Sequence, residues 1–152
     1  MFYDEEGFMR YRLMTLAAIL AIVSFLLPQN AQAAFKSGQL AGVSWETEVQ
    51  LVLTNNGNTY GKGRTTGTGD MLSGLSRVKV KVKHENAVGT KIGECSDEGV
   101  WNFITGVAEA SCNTSPWLSN GVGQQNTVVS EHEFKQRGNW VVLPDMTITA
   151  TP

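Results

Sequence analysis

Apolar and polar residues alternate with a period of two in two long stretches of the chain. The segment VSWETEVQLVL, residues 43–53, places five apolar side chains and a threonine on one face, and acidic and amide side chains on the other. The segment RVKVKVKH, residues 77–84, places three valines on one face and four cations on the other. Successive side chains of a strand point to opposite faces, so strict alternation is typical of a half-buried β-strand. Both segments are therefore predicted strands with one face in a core.

Short strand-like segments separated by turn residues continue along the rest of the chain. Asn56-Gly57 is a strong hairpin signal because both residues tolerate positive φ, and a weak, Gly-rich return strand is expected over 58–66. GRTTGTGDMLSG is predicted to be a loop and SDEG an acidic turn, whereas residues 100–110 suit either a buried strand or a helical turn. Seven or eight short strands without a helical period predict an all-β fold, a single antiparallel β-sandwich or open barrel. The other predicted strands are 90–95, 126–134, 139–143 and 146–151.

The N-terminus follows the three-part plan of a secretory signal peptide. Arg10 and Arg12 form a basic region, residues 13–27 form an apolar region, and residues 31–33 are the small-x-small triplet AQA that precedes a cleavage site. The apolar run is short for a membrane-spanning helix, which needs about 20 residues. The sequence therefore predicts cleavage rather than a permanent anchor.

Cleavage at that site divides the chain into three parts. Residues 1–33 are the predicted signal peptide, residues 34–42 a small, polar and flexible leader, and residues 43–152 one β-sandwich domain. No apolar tail follows the domain. We expect a secreted, extracellular protein with a signal of bacterial style and no membrane span after cleavage.

Charge and cysteine content narrow the class of protein further. The chain has 12 basic and 14 acidic residues, and removal of the signal peptide leaves it close to neutral. This balance disfavours nucleic acid as a partner, because such partners usually demand a clear cationic excess. Cys95 and Cys112 are the two cysteines, and an even pair in an oxidising compartment predicts a disulfide bond.

No arrangement of residues points to catalysis or metal binding. The chain has no GxSxG segment, and its two histidines are His84 and His132. His84 shares the face of the valines in 77–84, while the acids beside His132 point away from it in a strand, so neither has an orienting partner. No HxH or HExxH spacing predicts a transition metal, and SDEG lacks the alternating acids of a calcium loop. We expect no enzymatic activity, no cofactor and no metal.

Aromatic side chains outside the predicted core are the candidates for a binding site. Trp117 lies in a predicted loop, Tyr60 follows the predicted hairpin turn, and Trp140 lies in a strand without clean alternation. Flat rings beside amides and hydroxyls suit sugars, whose C–H faces stack on rings. The first hypothesis is a protein that binds an extracellular or cell-surface glycan, such as a cell-wall polymer. The alternative is a structural matrix or fibre subunit that assembles by strand addition, with residues 34–42 as the donor strand.

The cations of residues 77–84 have two interpretations. They repeat about every 7 Å along one face of a strand, as a polyanion-binding stripe would. Acidic residues repeat on the outer faces of two other predicted strands, however, and pairing with either strand would neutralise the stripe and help to set register. The near-neutral charge favours this second interpretation, a cross-strand charge ladder. Its basic members are Arg77, Lys79, Lys81 and Lys83, and its acidic candidates are Glu46, Glu48, Glu131 and Glu133.

Overall fold

The computed structural model describes residues 32–54, 56–118 and 124–151. The predicted signal peptide lies almost wholly outside these ranges, so it stays a prediction. Within them, no helix is long and apolar enough to span a membrane. The described residues are built from strands and the turns that join them.

Ten strands in the described ranges form two antiparallel sheets. They are β1 (Gln32–Leu40), β2 (Val43–Leu53), β3 (Asn58–Thr68), β4 (Leu75–Glu85), β5 (Lys91–Val100), β6 (Val107–Asn113), β7 (Trp117–Leu118), β8 (Asn126–Gln136), β9 (Asn139–Val142) and β10 (Met146–Ala150). Sheet A has the order β1-β2-β3-β6, with β7 also paired to β3. Sheet B has the order β10-β8-β4-β5, with β9 also paired to β8. The predicted all-β antiparallel sandwich is confirmed.

The core lies between the two sheets and is formed by alternate residues of their central strands. The alternation of residues 77–84 places Val78, Val80 and Val82 in the core with no exposed surface. Burying each valine stabilises the fold by about 1.5 kcal/mol or more. The other buried hydrophobic residues are Val43, Val49, Leu51, Leu75, Ala108, Ala110, Val128, Phe134, Leu143, Met146 and Ile148.

Glycines on the inner face of β3 let the two sheets approach each other closely. A Cβ atom on Gly61 would lie 2.8 Å from a methyl carbon of Val128, and one on Gly67 would lie 2.9 Å from a methyl carbon of Val78. Gly63 is tighter still against Val82. Interiors are close-packed, so no side chain fits at these positions without displacing the valines. The Gly-rich composition that makes β3 weak as a sequence signal is therefore what allows the valines of sheet B to pack.

The segment predicted as a flexible leader, residues 34–42, differs in the structure. Most of it belongs to the edge strand β1, which pairs with β2 from Gln32–Leu51 to Leu40–Val43. The leader lacks an apolar alternation, but an edge strand can be held by main-chain hydrogen bonds alone. A tight turn at Ala41 and Gly42, with φ of 51° and 82°, returns the chain into β2.

Four connections meet at one end of the sandwich, which we call the tip end. The strand directions place the turn after β1 and the connections after β3, β5 and β8 together there. The structure ends β5 at Val100, so the segment 101–106, for which a buried strand was one expectation, is a loop of this end. The tip end comprises residues 41–42, 69–74, 101–106 and 137–138.

The predicted disulfide is confirmed and closes one side of the sandwich. Cys95 of β5 is bonded to Cys112 of β6, with 6.0 Å between their Cα atoms, so it joins sheet B to sheet A. The main chains are also close here, because a Cβ atom on Gly99 would collide with the backbone of Glu109. The bridge therefore holds together two edge strands that no ladder of hydrogen bonds connects.

Candidate functional site

The outer face of sheet B carries a row of ion pairs across β5, β4 and β8. In the register of β4 with β8, Lys79 lies opposite Glu133 and Lys81 opposite Glu131. The acidic side chains of β5 approach β4 from its other side. All four cations of the charge ladder thus have an acidic partner, so the row is neutralised within the sheet. The pairs are Arg77–Glu98 at 3.1 Å, Lys79–Glu133 at 3.7 Å, Lys81–Glu94 at 3.1 Å and Lys83–Glu131 at 2.8 Å.

Two acids of this row, Glu94 and Glu98, were not among the sequence candidates. The segment SDEG was expected to be a turn, but β5 continues through it to Val100. Acidic residues have a low strand propensity, and here opposite charges on the neighbouring strand compensate for it. Hydrogen bonds from Lys91 and Lys81 lower the pKa of Glu94 to about 2. Glu94 and Glu98 are four residues apart, an even spacing that places both on one face of a strand, and this was the available signal.

The remaining candidates of the ladder, Glu46 and Glu48, lie on β2 in sheet A and are not part of the row. They share the outer face of sheet A with Arg64, whose guanidinium is 2.9 Å from the carboxylate of Glu109. The hydrogen bond to Glu109 raises the pKa of Arg64, and the two acids of β2 act in the same direction. The order of the strands decides which acidic strand lies beside β4. Alternation of residues along one strand gives no information about that order.

Trp140 lies on the same outer face as the ion-pair row. It is opposite Lys135 in the register of β9 with β8, and 38% of its surface is exposed. The ammonium groups of Lys79 and Lys135 lie 5.8 and 5.7 Å from the centre of its ring. Because β8 lies between β9 and β4, and Lys79 also pairs with Glu133 of β8, the Lys79 side chain reaches over β8 to meet the ring. The ring is therefore a partly exposed aromatic platform on the outer face of sheet B, in cation–π contact with two lysines.

A shallow depression adjoins this platform. It has a volume of about 140 Å³ and is lined by Lys79, Lys81, Glu131 and Glu133. Each lining group is a charged hydrogen-bond donor or acceptor already engaged in an ion pair. The face therefore combines one flat ring with a strip of balanced charge.

Trp117 and Tyr60, the other aromatic candidates, lie near each other along β3 but on opposite faces of sheet A. Trp117 is opposite Thr59, whose side chain is fully buried, so it belongs to the inner face. Tyr60 is the next residue along the strand, so it points outward. Trp117 is 44% exposed and lies beside the start of β3, at the end of the sandwich opposite the tip end. The two rings do not form a common platform.

A second depression, on sheet A, involves a residue that sequence reasoning missed. Phe35 of β1 is largely exposed and, with Lys36, Ser37, Glu46 and Thr47, lines a depression of about 240 Å³. Phe35 falls in the segment expected to be a leader, so no strand face was assigned to it. Phe35 lies opposite Glu48 in the register of β1 with β2, so its side chain points to the outer face of sheet A.

His132 is buried between the sheets within a chain of hydrogen bonds. The Thr65 hydroxyl donates to the main-chain oxygen of Lys79 at 3.0 Å, so it accepts from Nδ1–H of His132 at 2.7 Å. Nε2 then accepts from the Ser130 hydroxyl at 2.7 Å. Burial lowers the pKa of His132 to about 4, and the cation of Lys36 acts in the same direction. The imidazole is neutral and fully enclosed, so it has no access to a substrate.

His84 is also fully buried, at the end of β4 away from the tip end. Neither ring nitrogen has a hydrogen-bond partner among the described residues. Burial lowers the pKa of His84, opposed by the nearby side chain of Asn126. Within the described ranges, no three His, Cys, Asp or Glu side chains converge to hold a metal ion. Asp97 of the SDEG segment accepts a hydrogen bond from the Ser111 amide at 3.0 Å.

Comparison with known proteins does not assign a family. No family model matches the sequence, and no curated protein matches it. Similar solved structures include a glycosyl hydrolase family 2 member from Bacteroides cellulosilyticus, at 7% identity and a TM-score of 0.45, and a Bacteroides uniformis beta-glucuronidase, at 9% identity and a TM-score of 0.45. The matches cover 68% and 78% of this chain, but 14% and 13% of those two chains. Because the TM-scores are below 0.5, nothing about the function of this protein follows from these matches.

Proposed function

We propose that this chain is an exported, non-enzymatic β-sandwich that binds a glycan through Trp140 on the outer face of sheet B. The observation that carries the proposal is the placement of the ring, partly exposed on the outer face beside the ammonium groups of Lys79 and Lys135. The exposed part of an aromatic ring on a sheet surface is available to the C–H face of a sugar.

The groups around the ring indicate which kind of glycan fits. Lys135 has no ion-pair partner among the described residues, so its donors are free for hydroxyl oxygens beside the ring. The neighbouring cations are neutralised by acids, which disfavours a strongly anionic polymer. The open, shallow shape of the depression suits a polymer chain better than a small molecule, which needs an enclosing pocket. The ligand class is therefore a neutral or weakly charged polysaccharide.

Two features support a binding role rather than a catalytic one. Glycoside hydrolysis needs one carboxylic acid that is protonated and another that is ionised. The acids beside Trp140 are instead paired with lysines, and the hydrogen bond from Lys83 lowers the pKa of Glu131. The imidazole of His132 is enclosed in the core.

Export is supported by the N-terminal sequence and by the disulfide. Disulfide bonds form and persist in oxidising compartments outside the cytoplasm. The predicted cleavage after Ala33 falls inside β1, so the processed chain would begin with Ala34 opposite Val49 of β2. Mass spectrometry of the exported protein tests this: a chain that still contains residues 13–27 would contradict it.

Binding is tested by retention of the exported protein on insoluble cellulose, chitin and peptidoglycan, and by affinity electrophoresis with soluble polysaccharides. Trp140→Ala should weaken binding by about tenfold or more, the effect expected of a central aromatic contact. Trp117→Ala is the matched control, since its ring is similarly exposed but lies at the end of the sandwich. Loss of binding in the control alone would move the site to Trp117. Absence of binding to any polymer would contradict the proposal.

Strand addition remains a second candidate function because β1 is an edge strand. Its far edge has no partner among the described residues, so its main-chain groups are available to another strand. In the structure the segment once considered a donor pairs with its own β2 instead. Light scattering over a range of concentrations separates the two functions: filaments that grow with concentration would support assembly, and a monomer throughout would contradict it.

A further inference from the structure

Four large apolar side chains are exposed together at the tip end. Met71 and Leu72 of the connection after β3 are 81% and 84% exposed, and Phe103 and Ile104 of the connection after β5 are 75% and 78% exposed. Isolated exposed hydrophobic residues are ordinary, but a contiguous group usually marks an interaction site. We call these four residues the apolar tips.

Both pairs of side chains lie on turns stabilised by the same kind of hydrogen bond. The side chain of Asp70 accepts hydrogen bonds from the amides of Leu72 at 3.0 Å and Ser73 at 2.8 Å. In the other loop, the side chain of Asn102 accepts from the amide of Ile104 at 2.8 Å. Each turn fixes the backbone through its first residue, an Asx turn, and leaves the next two side chains pointing into solvent.

The two loops are joined at their bases. The amide of Gly69 donates to the main-chain oxygen of Gly106 at 3.0 Å, and Nε1 of Trp101 donates to the oxygen of Gly69 at 3.1 Å. Trp101 is half-buried, packs against the core and thus anchors both loops. The apolar tips therefore lie on two loops that are hydrogen-bonded to each other at their bases and form one surface.

The size and shape of this surface favour a lipid bilayer over a protein partner. Four such side chains, at least three-quarters exposed, offer roughly 500–600 Å². A stable protein interface buries about 800 Å² per partner. The tips also lie at the apices of two turns, whereas apolar anchors of protein interfaces fill a matching pocket. Apolar and aromatic side chains can instead insert between lipid headgroups without any complementary groove.

A free cation lies beside the tips. Arg137, in the turn after β8, packs over Gly74 at the end of the first loop, and its amide donates to the oxygen of Gly74 at 2.9 Å. No carboxylate among the described residues forms an ion pair with Arg137, whereas Arg77 in the adjoining row is paired with Glu98. A guanidinium next to inserted apolar side chains is placed to bind a lipid phosphate.

We propose that the tip end docks on a phospholipid surface, with the apolar tips inserted among the headgroups and Arg137 bound to phosphate. The docking surface is at the opposite end of the sandwich from Trp117 and is distinct from the Trp140 face. It does not depend on glycan binding, and the two activities can be measured separately on the same protein.

Vesicle sedimentation tests the proposal with protein processed after Ala33, which lacks the apolar signal segment. The vesicles are phosphatidylcholine alone and phosphatidylcholine with 30% phosphatidylglycerol. The combined substitutions Met71→Ser and Phe103→Ser should lower the partition coefficient for both at least about tenfold. Arg137→Ala should lower it about fivefold on the anionic vesicles and less on the neutral ones.

Val88→Ser is the matched control, because Val88 is 82% exposed in the turn after β4, at the opposite end. It should leave vesicle binding unchanged, and all variants should keep the unfolding temperature of the parent. Equal loss in the control, or no binding by the parent protein, would overturn the proposal. Concentration-dependent dimers abolished by the tip substitutions, without vesicle binding, would show that the tips contact a second protein chain instead.

Discussion

His132 occupies the centre of the sandwich as a neutral hydrogen-bonded side chain. Its two nitrogens are hydrogen-bonded to Thr65 and Ser130. Burying the polar ring therefore costs little free energy while the ring stays uncharged. His84, by contrast, is buried without a partner among the described residues. A positive charge on either ring would lie in an environment that solvates it poorly. The protonation of these two residues should therefore control stability in mild acid.

The free energy of unfolding is expected to fall as the pH drops from about 6.5 to about 4. The folded-state pKa of His132, about 4, lies below its unfolded value of 6.5, so between these values the unfolded chain binds more protons. Stability is full above the unfolded pKa and is lost towards the folded one, by on the order of 2–3 kcal/mol for His132. The lowered pKa of His84 adds a loss of the same sign. Urea unfolding at a series of pH values measures the change.

His132→Gln provides the control for this pH dependence. Glutamine can hydrogen-bond within the core but does not titrate, so the variant should be less stable at pH 7 and depend less on pH between 6.5 and 4. The stabilisation from the Glu94 ion pairs is lost at lower pH, as the pH falls towards the Glu94 pKa of about 2. An unchanged slope between pH 6.5 and 4 in this variant would contradict the assignment to His132.

At the scale of elements, the strand with the clearest sequence pattern, β4, packs against one with almost no pattern, β3. The valines of β4 are evident from alternation alone. The glycines of β3 give no such signal, since they lack the side chains from which a strand face is predicted. Their role appears only once the opposing sheet is known, because the space they leave is filled by Val80 and Val82. Sequence patterning thus predicts each strand separately better than it predicts contacts between sheets.

Gly63→Ala is expected to destabilise the protein by about 1–3 kcal/mol, the cost of overpacking a core. The new methyl group would overlap the side chains of Val82 and Val80, which are fully buried and cannot move away. Chemical denaturation measures the loss. Adding Val82→Ala should recover part of it, because the methyl groups removed are those that collide. If the two substitutions were additive, the predicted contact would be disproved.

The edge strands were the hardest elements to predict, each for its own reason. β1 has small, polar side chains, and its pairing rests on the main chain, so no side-chain pattern marks it. β5 carries an acidic segment that resembles a turn until its pairing with Lys79 and Lys81 is known. Strand order, rather than the individual strand, was the missing information in both cases.

At the scale of the whole molecule, the two open sides of the sandwich are closed by different means. On one side, the disulfide ties β5 to β6. On the other, β1 and β2 approach β10 through polar contacts, in which Lys36 donates to the main-chain oxygen of Asp145 at 2.9 Å. The Thr47 hydroxyl also donates to the sulfur of Met146 at 3.0 Å. The covalent side is therefore the more firmly closed of the two.

Replacing both cysteines with serine should lower the free energy of unfolding by about 3 kcal/mol. The bridge spans 17 residues, and its removal frees a loop of that length in the unfolded chain. Thermal unfolding of the variant, beside the parent in reduced and oxidised form, measures the effect. The reduced parent should match the variant, and an unchanged unfolding temperature in both would mean that the bridge does not stabilise this fold.

The sequence located part of the candidate site. It singled out Trp140 and the cations of β4, because exposed rings and alternating charge can be read from spacing. It also singled out Trp117, since a predicted loop position suggests exposure, but it did not identify the apolar tips. The repeated pattern of Asp or Asn, two large apolar residues, and Ser or Thr, in DMLS and NFIT, was the available signal.

The tip turns have a consequence for how this protein could change over time. Their backbone is fixed by the side chains of Asp70 and Asn102, while the two residues at each apex contact little of the fold. Mutation at an apex can therefore alter what the end adheres to at almost no cost in stability. The scaffold and its specificity are encoded by different positions, so selection can act on one without disturbing the other. The same separation makes the two apices suitable sites for grafting foreign peptides.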